Sequence, residues 1–198
     1  LSDLIQETGL KNNAKWVLAE GSDSSGMTRS IPIEKIKDDC IIAWAMNGEA
    51  LRPEQGYPIR LVVPGWEGNM WVKWLRRIEF GDKPYMTREE TSKYTDLLSD
   101  GKARMFTWVM DAKSVITSPC PEKPVLQKGI HQIRGLAWSG RGKIKRVDVS
   151  LDGGKNWKTA QLHSPVLEKS LTRFTIPFEW NGEELSLIHI SEPTRQEA

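Results

Sequence analysis

Short stretches in which apolar and polar residues alternate dominate the second half of the chain and predict β-strands. Val147, Val149 and Leu151 alternate with polar residues, which places one face of a strand against a core. Four segments are predicted as strands: residues 129–137, 144–151, 157–162 and 173–178. Regular short strands separated by turn residues are typical of a β-sandwich. We therefore expect a sandwich after about residue 110.

The first half of the chain mixes helical and strand patterns. Residues 14–19 and 40–46 are predicted as strands, and residues 31–37 as the beginning of a short helix. Ser30 is the expected cap of that helix, with Pro32 in its first turn. This mixture, with many loops, favours an α+β arrangement.

Turn and cap motifs add two further local predictions. Asn47-Gly48 is a strong hairpin dipeptide because both residues tolerate a positive φ. Thr87 and Glu90 form a T-x-x-E capping box, which predicts a helix over residues 91–96.

Residues 54–77, EQGYPIRLVVPGWEGNMWVKWLRR, combine a strand, a glycine-containing turn and two cations in apolar sequence. Arg60 interrupts the strand, and Lys73 lies between Val72 and Trp74. Burying a cation is costly unless an anion meets it, so Arg60 and Lys73 suggest an anionic ligand beside a glycine-lined backbone. The alternative is that Arg60 faces solvent and that Lys73 extends its ammonium group into water.

Composition restricts the classes of function. The 198 residues are enough for two domains, and 38% of them are hydrophobic. A formal charge of +2 is too small to indicate nucleic acid or a membrane surface as a partner. No apolar run is long enough to span a membrane. Cys40 and Cys120 show neither C-x-x-C nor zinc-ligand spacing, so we predict no metal site among these residues.

The 54–77 segment resembles the molybdopterin-binding domain of the sulfite oxidase family, in which G-[YF]-P-x-R-x-x-x-P-G-x-x-G-x-x-x-V-K-W-L is a signature. Residues 135–157, GLAWSGRGKIKRVDVSLDGGKNW, resemble the immunoglobulin-like dimerisation domain that follows it in this family. The resemblance implies an α+β chain with the C-terminal half of the molybdopterin domain at residues 1–110. A truncated dimerisation domain is implied at residues 111–184.

The resemblance implies that the chain binds a molybdenum–molybdopterin cofactor. The positions that match cofactor contacts of the family are Asp23, Gln55, Arg60, Trp71, Val72 and Lys73. A carboxylate at Asp23 accepts hydrogen bonds from an amino-pyrimidine edge, although Asp in a Ser/Gly-rich loop often caps its own turn. Gln55 stands where many family members have His, and it hydrogen-bonds without carrying a charge. This departure favours a bacterial branch over the animal enzymes.

Tyr94 matches the family's active-site tyrosine, which hydrogen-bonds the substrate oxyanion. A phenol stays protonated at neutral pH and donates to a sulfur-bound oxygen. The alternative is a tyrosine packed on a helix face beside Leu97. Arg29 and Arg173 are candidates for substrate binding that the sequence does not decide between.

The family binds molybdenum through a Cys thiolate. Neither Cys40 nor Cys120 has the sequence context of that ligand, so the resemblance implies that the ligand lies upstream of Leu1. With no initiating Met, the chain is expected to be a fragment that does not hold molybdenum alone.

Three stretches, GYPIRLVVPGWEGNMWVKWLRR, KPYMTREETSKYTDLL and ARMFTWVMDAKSVITSPC, most resemble the sulfane dehydrogenase branch of the bacterial thiosulfate-oxidising Sox system. This implies a periplasmic oxidoreductase that acts on sulfane sulfur bound to a carrier protein. The expected partners are a second copy of the chain and a c-type cytochrome. A sulfite dehydrogenase is the alternative, and nitrate reductase is a more distant one.

A non-catalytic binding module is the alternative from another class. Residues 150–157, SLDGGKNW, resemble the Asp-box hairpin of propeller proteins, but the motif occurs once whereas a propeller repeats it. We therefore interpret it as a hairpin of the sandwich.

Residues 185–195, LSLIHISEPTR, resemble the translation of an adapter used in preparing DNA sequencing libraries. Residues 185–198 are therefore predicted to be a non-native tail, and His189 is assigned to no site. The alternative is a natural strand over residues 185–190.

Overall fold

The computed structural model of the protein describes residues 1–122, 124–125, 127–182 and 188–193. It divides into two compact units, Leu1–Trp108 and Val109–Ala198. In the described residues, no helix is both long and apolar enough to cross a membrane.

The first unit consists of short helices and antiparallel strands. Its elements are α1 (Ser2–Thr8), β1 (Trp16–Gly21), β2 (Thr28–Pro32), α2 (Ile33–Asp38), β3 (Ile41–Ala43), β4 (Ala45–Met46), β5 (Glu49–Ala50), β6 (Arg60–Val62), β7 (Leu75–Gly81), β8 (Asp96–Leu97) and β9 (Ala103–Arg104). Two 3₁₀ turns, Pro53–Gln55 and Gly68–Met70, and one π-helical turn, Glu89–Lys93, lie between them.

The central sheet of the first unit has the order β2-β1-β7. Strand β1 lies in the middle, and its residues 17–21 are all buried, including Glu20, whose carboxylate forms ion pairs with Arg76 and Arg77 on β7. Strands β3 and β6 form a second pair, in which Leu61 is fully buried and Arg60 is half-buried. Arg60 and Leu61 thus follow the alternation expected of a strand.

The helix predicted at residues 31–37 is present but begins later. Ser30 and Pro32 belong to β2, and α2 starts at Ile33 with Pro32 as its N-cap residue. The prediction of Ser30 as the cap is therefore wrong. The Ser30 hydroxyl instead accepts a hydrogen bond from the Tyr85 backbone N–H at 3.0 Å. The predicted hairpin at Asn47-Gly48 is confirmed, since it joins β4 to β5 with φ of 54° and 84° at the two residues.

The helix predicted over residues 91–96 is wrong. The chain forms a single π-helical turn over Glu89–Lys93 and then turns into β8. Half of the capping box exists, because the Glu90 N–H donates to the Thr87 hydroxyl at 3.3 Å. The other half is missing, since the Glu90 carboxylate binds Arg29 and the Ser30 N–H instead.

The second unit is a two-sheet sandwich. Its strands are β10 (Lys113–Ser118), β11 (Gly129–Trp138), β12 (Ile144–Ser150), β13 (Lys158–Thr159), β14 (Gln161–Leu162), β15 (Thr172–Trp180) and β16 (Ile188–Pro193). One sheet has the order β10-β11-β15-β14 and the other β13-β12-β16. The predicted strand 157–162 is thus two strands in different sheets, divided at Ala160.

Apolar residues that alternate along β11, β12 and β15 form the core of the sandwich. They are Ile133, Ala137, Ile144, Val147, Val149, Phe174, Ile176 and Phe178. The α+β class and the β-sandwich predicted from the sequence are therefore confirmed. The backbone of Ile188–Pro193, which lies within the predicted non-native tail, pairs with β12 in antiparallel register.

The 150–157 motif forms the hairpin between β12 and β13. The Asp152 carboxylate accepts hydrogen bonds from the N–H groups of Lys155 and Asn156 at 3.1 and 2.9 Å. It also accepts one from the Ser150 hydroxyl at 2.7 Å. These bonds, with the Asn156 N–H contributing most, hold the pKa of Asp152 well below its ordinary value.

Asp152→Asn is expected to lower the Tm at pH 7, because a neutral amide accepts these hydrogen bonds less strongly than a carboxylate. A carboxyl whose folded pKa is depressed stabilises the fold above its unfolded pKa of about 3.9. That contribution is lost as pH falls, so the difference in Tm between the wild type and Asp152→Asn should narrow from pH 7 towards pH 3. Thermal unfolding at both pH values tests this, with Asp82→Asn as an exposed control. A gap in Tm that widens in acid would contradict it.

Candidate functional site

The Arg60 side chain donates hydrogen bonds to the backbone on both sides of the glycine-containing turn. Its Nη1 donates to the Gln55 carbonyl at 2.9 Å and its Nη2 to the Trp71 carbonyl at 3.1 Å. Burial lowers the pKa of the Arg60 guanidinium from its ordinary value. Within the described part of the chain, the buried Nε has no hydrogen-bond partner. Arg60 is thus a fixed cation whose Nε–H is still unused.

Lys73 lies against Gly56 at the other end of the same turn. Its Nζ donates to the Glu54 carbonyl at 2.9 Å and lies 4.6 Å from the centroid of the Trp74 ring. Gly56 has φ of 105°, and a Cβ there would lie 2.8 Å from the Lys73 Cβ. Only glycine therefore allows Lys73 and the turn this close approach.

Gly56→Ala is expected to destabilise the first unit by about 2–5 kcal/mol. The positive φ contributes roughly 1–2 kcal/mol and the overlap with Lys73 roughly 1–3 kcal/mol. Gly48→Ala is the matched control, because Gly48 has φ of 84° and open space around its Cβ position. Urea unfolding should show the larger loss for Gly56→Ala. Equal losses would mean that the approach of Lys73 to Gly56 has no energetic weight.

The loop between β1 and β2 places Asp23 close to the segment that contains Lys73. A Cβ on Gly21 would lie 2.8 Å from the Lys73 carbonyl oxygen and 2.9 Å from Asp23 Oδ1. The Ser22 N–H donates to the Trp74 carbonyl at 2.8 Å. This loop and the segment that contains Lys73 are therefore in direct contact.

Asp23 also closes its own turn, as the alternative interpretation expects. It accepts hydrogen bonds from the Ser25 hydroxyl and from the Met27 N–H. These bonds, with Ser25 first, lower the pKa of Asp23, so the group is ionised at neutral pH. Turn capping and ligand binding are compatible, because a carboxylate offers about four acceptor positions.

The other three predicted cofactor-binding residues are Trp71, Val72 and Gln55, and the backbone carbonyl of each accepts a hydrogen bond within this region. The Trp71 indole donates to the Trp66 carbonyl at 3.2 Å, while the Trp71 carbonyl binds Arg60. Val72 is buried, and its carbonyl accepts from the Leu61 N–H at 2.9 Å. The Gln55 side chain accepts from the Arg52 N–H at 3.1 Å. The structure thus places all six predicted cofactor-binding residues around one glycine-rich turn and the loop beside it.

Tyr94 lies elsewhere in the first unit, directly after the π-helical turn. Its N–H donates to the Glu89 carbonyl at 2.9 Å, and its carbonyl accepts from the Thr107 hydroxyl at 3.2 Å. The Arg29 Cζ lies 4.7 Å from the centroid of the Tyr94 ring. From the sequence, Arg29 is only an unassigned candidate for substrate binding, and Glu90 is assigned to a capping box. No local pattern joins Arg29 to Glu90, because they are 61 residues apart.

Cys40 does not have the properties of a thiolate ligand in this structure. Burial raises the pKa of Cys40 to about 12, so its thiol is protonated at neutral pH. Cys120 lies in the second unit, as does Arg173, which lines an open groove with Arg134 and His163. Across the described ranges, no three His, Cys, Asp or Glu side chains converge in a way that would hold a metal ion.

Two family models match successive parts of the chain. The model of the oxidoreductase molybdopterin binding domain matches residues 1–89. The model of the Mo-co oxidoreductase dimerisation domain matches residues 104–185. A dimerisation domain that follows a molybdopterin-binding domain is the succession that the family resemblance implies.

Curated relatives come from two groups of enzymes. Mitochondrial sulfite oxidase of Drosophila melanogaster is 36% identical over 182 residues, which cover 82% of this chain and 32% of the relative. The NADH nitrate reductase of Solanum lycopersicum is 32% identical, covering 83% of this chain and 21% of the relative. The chain therefore spans about a third of the first relative and a fifth of the second.

A solved structure is much more similar. The crystal structure of the sulfane dehydrogenase SoxCD from Paracoccus pantotrophus shares 58% sequence identity with a TM-score of 0.93. The match covers 98% of this chain and 50% of that one. At this identity and TM-score the two chains share their fold over the matched residues.

Proposed function

Because this chain belongs to the sulfite oxidase family of molybdopterin-binding oxidoreductases, we propose that it is part of a molybdenum enzyme that oxidises protein-bound sulfane sulfur. The observation that carries the proposal is the 58% identity to a sulfane dehydrogenase over 98% of the chain. Sulfite oxidases and nitrate reductases are less similar, at 36% and 32% identity.

The residues around the glycine-rich turn fit the cofactor that the family implies. The buried Arg60 Nε has an unused donor, and Lys73 adds a second cation beside it. Asp23 supplies an ionised carboxylate from the β1–β2 loop, which contacts the segment that contains Lys73. Two cations suit a phosphate, and a carboxylate suits the amino groups of a pterin. Gly21 and Gly56 leave no Cβ to fill the space between these segments.

Each residue has a distinct task in this proposal. Arg60 and Lys73 bind the phosphate of the molybdopterin, while Trp71, Val72 and Gln55 present backbone groups that hold Arg60 and the turn in place. When bound, the molybdenum cofactor supplies a two-electron oxidation in which oxygen comes from water. The protein orients the substrate and stabilises the oxyanion that develops. Tyr94 donates its hydroxyl proton in a hydrogen bond to that oxyanion.

The molybdenum ligand is proposed to be a cysteine outside residues 1–198. This is supported by the protonated, buried thiol of Cys40 and by the sequence context of Cys120 between two prolines. A thiolate ligand requires the opposite environment, in which positive charge or exposure lowers the pKa.

The proposed partners follow from the domain composition and the solved relative. The second unit carries the dimerisation domain, which supports a homodimer. A c-type cytochrome accepts the electrons, and a sulfur-carrier protein presents the substrate. The location proposed is the periplasm, and residues 185–198 are proposed to be a non-native tail.

A comparison of substrates tests the proposal. The full-length protein is assayed with carrier-bound sulfane sulfur and with free sulfite, using a c-type cytochrome as electron acceptor. The proposal expects a kcat/KM at least tenfold higher for the carrier-bound sulfur. High activity on free sulfite without a carrier protein would contradict the proposal and assign the enzyme to the sulfite dehydrogenases. The observation that supports this alternative is the 36% identity to Drosophila sulfite oxidase.

A further inference from the structure

A fully buried ion pair joins β2 to the π-helical turn. Arg29 Nε lies 2.9 Å from Glu90 Oε1, and Arg29 Nη2 donates to Glu90 Oε2 at 3.3 Å. Both side chains have no exposed surface. Arg29 is also the largest of the fully buried side chains in the described residues. A charge pair of this kind in the interior is unusual and needs a physical reason.

Net stability is a poor reason for this pair. Taking two charges out of water costs about as much as their attraction returns, so an apolar pair of similar volume is often as stable. Burial shifts both groups towards their neutral forms, lowering the pKa of Arg29 and raising that of Glu90. In addition, Arg29 Nη1 is buried without a hydrogen-bond partner in the described part of the chain. The pair is therefore costly, and its benefit is geometric.

The geometry that the pair fixes is that of the Tyr94 ring. The backbone of Tyr94 is held by the Glu89 carbonyl and the Thr107 hydroxyl, and neither bond determines where the ring points. The guanidinium Cζ of Arg29 lies 4.7 Å from the ring centroid, within the range of a cation–π contact. Among the described residues, the Tyr94 hydroxyl has no hydrogen-bond partner, so it remains available to a ligand.

Further bonds tie the strand to the segment that carries Tyr94. The Ser30 N–H donates to Glu90 Oε1 at 3.1 Å, and the Thr28 hydroxyl donates to Glu89 Oε2 at 3.0 Å. Arg29, between Thr28 and Ser30, therefore has its backbone fixed relative to the π-helical turn. Glu90 fixes the guanidinium of Arg29, so the guanidinium has little freedom to move relative to the Tyr94 ring.

We propose that Arg29, held by Glu90, is a positioning residue that fixes the Tyr94 ring so that its hydroxyl meets the substrate oxyanion. This inference rests on the proposed function, in which Tyr94 is the hydrogen-bond donor. Arg29 acts only through the ring, because it is shielded from solvent by its own packing.

A double-mutant cycle in the full-length enzyme tests the inference. Arg29→Gln is expected to lower kcat about tenfold with little change in KM, because a misplaced donor weakens the transition state more than the bound substrate. In a Tyr94→Phe background the same substitution is expected to have no further effect on kcat. Arg29→Lys keeps the positive charge but not the planar guanidinium, so its kcat should lie between those of the wild type and Arg29→Gln. Arg141→Gln, which removes an exposed ion pair with Asp111, should leave kcat unchanged in both backgrounds.

The outcomes separate the inference from the proposed function. If Tyr94→Phe itself leaves kcat unchanged, the proposed role of Tyr94 fails and the inference fails with it. If Tyr94→Phe lowers kcat but the effect of Arg29→Gln is additive, only the inference is overturned. Should Arg29→Gln fail to fold, the neutral pair Arg29→Met/Glu90→Gln removes both buried charges, and the cycle is run with that pair. It should show the same loss of kcat, again absent in the Tyr94→Phe background.

Discussion

Replacing Tyr94 by phenylalanine is expected to lower kcat/KM of the full-length enzyme by about 100-fold to 1000-fold, the usual effect of removing one oxyanion donor. The substitution removes only the hydroxyl, so the ring keeps its contact with Arg29. Steady-state kinetics with the sulfur substrate and a cytochrome acceptor measures the loss.

Tyr85→Phe is the matched control for this experiment. Tyr85 lies nine residues before Tyr94 in the sequence. Its phenol forms a hydrogen bond with the Glu79 side chain and has no part in the proposed site. We expect kcat/KM of Tyr85→Phe within about twofold of the wild type, since substitutions away from special contacts usually cost little. An unchanged kcat/KM in Tyr94→Phe would remove Tyr94 from the catalytic role.

Phe174→Ala is expected to destabilise the second unit by about 3–5 kcal/mol, the usual cost of truncating a buried phenylalanine. The Phe174 ring is fully buried in the sandwich core and lies against Gly135, where a Cβ would overlap it. Because the ring packs against Gly135, which has no side chain, Phe174→Ala leaves a cavity that residue 135 cannot fill. Calorimetry should show the transition of this unit lowered by more than about 10 °C.

Ile130→Ala is the control for Phe174→Ala. Ile130 lies on β11, the strand that pairs with the one carrying Phe174, but it is 81% exposed. We expect its cost to remain within about 0.5 kcal/mol, as is usual for surface positions. Equal effects of the two substitutions would mean that the sandwich core is not where the structure places it.

The sandwich was predictable because its information is local. Alternation along residues 144–151 and the Asp-Gly-Gly turn at 152–154 identify two strands and the hairpin between them without reference to the rest of the chain. The strand β7 was not predicted, because charged residues interrupt its apolar pattern. Arg76 and Arg77 form ion pairs with Glu20 on the neighbouring strand, which allows them to lie in the sheet.

The helix predicted after Thr87 failed for a related reason. The capping box requires the Glu90 carboxylate to fold back on Thr87, whereas a cation 61 residues away in sequence takes it. Local propensity is a weak preference, and a buried ion pair overrides it. The sequence contains both partners but gives no sign that the fold brings them together.

The sequence predicts that the two cations of the glycine-rich turn lie beside an anionic ligand. In the structure, both cations donate hydrogen bonds to backbone carbonyls. Arg60 and Lys73 together use three donors on the carbonyls of Gln55, Trp71 and Glu54. Backbone carbonyls occur at every residue, so no sequence pattern distinguishes them from a phosphate as the partner of a cation. Their use leaves the Arg60 Nε–H and further Lys73 protons free to donate to the proposed cofactor.

The amount of molybdopterin bound to the purified full-length protein tests the central claim most directly. The pterin is released by oxidation and measured by fluorescence in the wild type, in Lys73→Met and in Lys102→Met, whose lysine is exposed and outside the site. We expect about one pterin per chain in the wild type and in Lys102→Met, and several-fold less in Lys73→Met, since one phosphate contact is lost. A wild type without pterin, or a Lys73→Met protein with a full complement, would contradict the account.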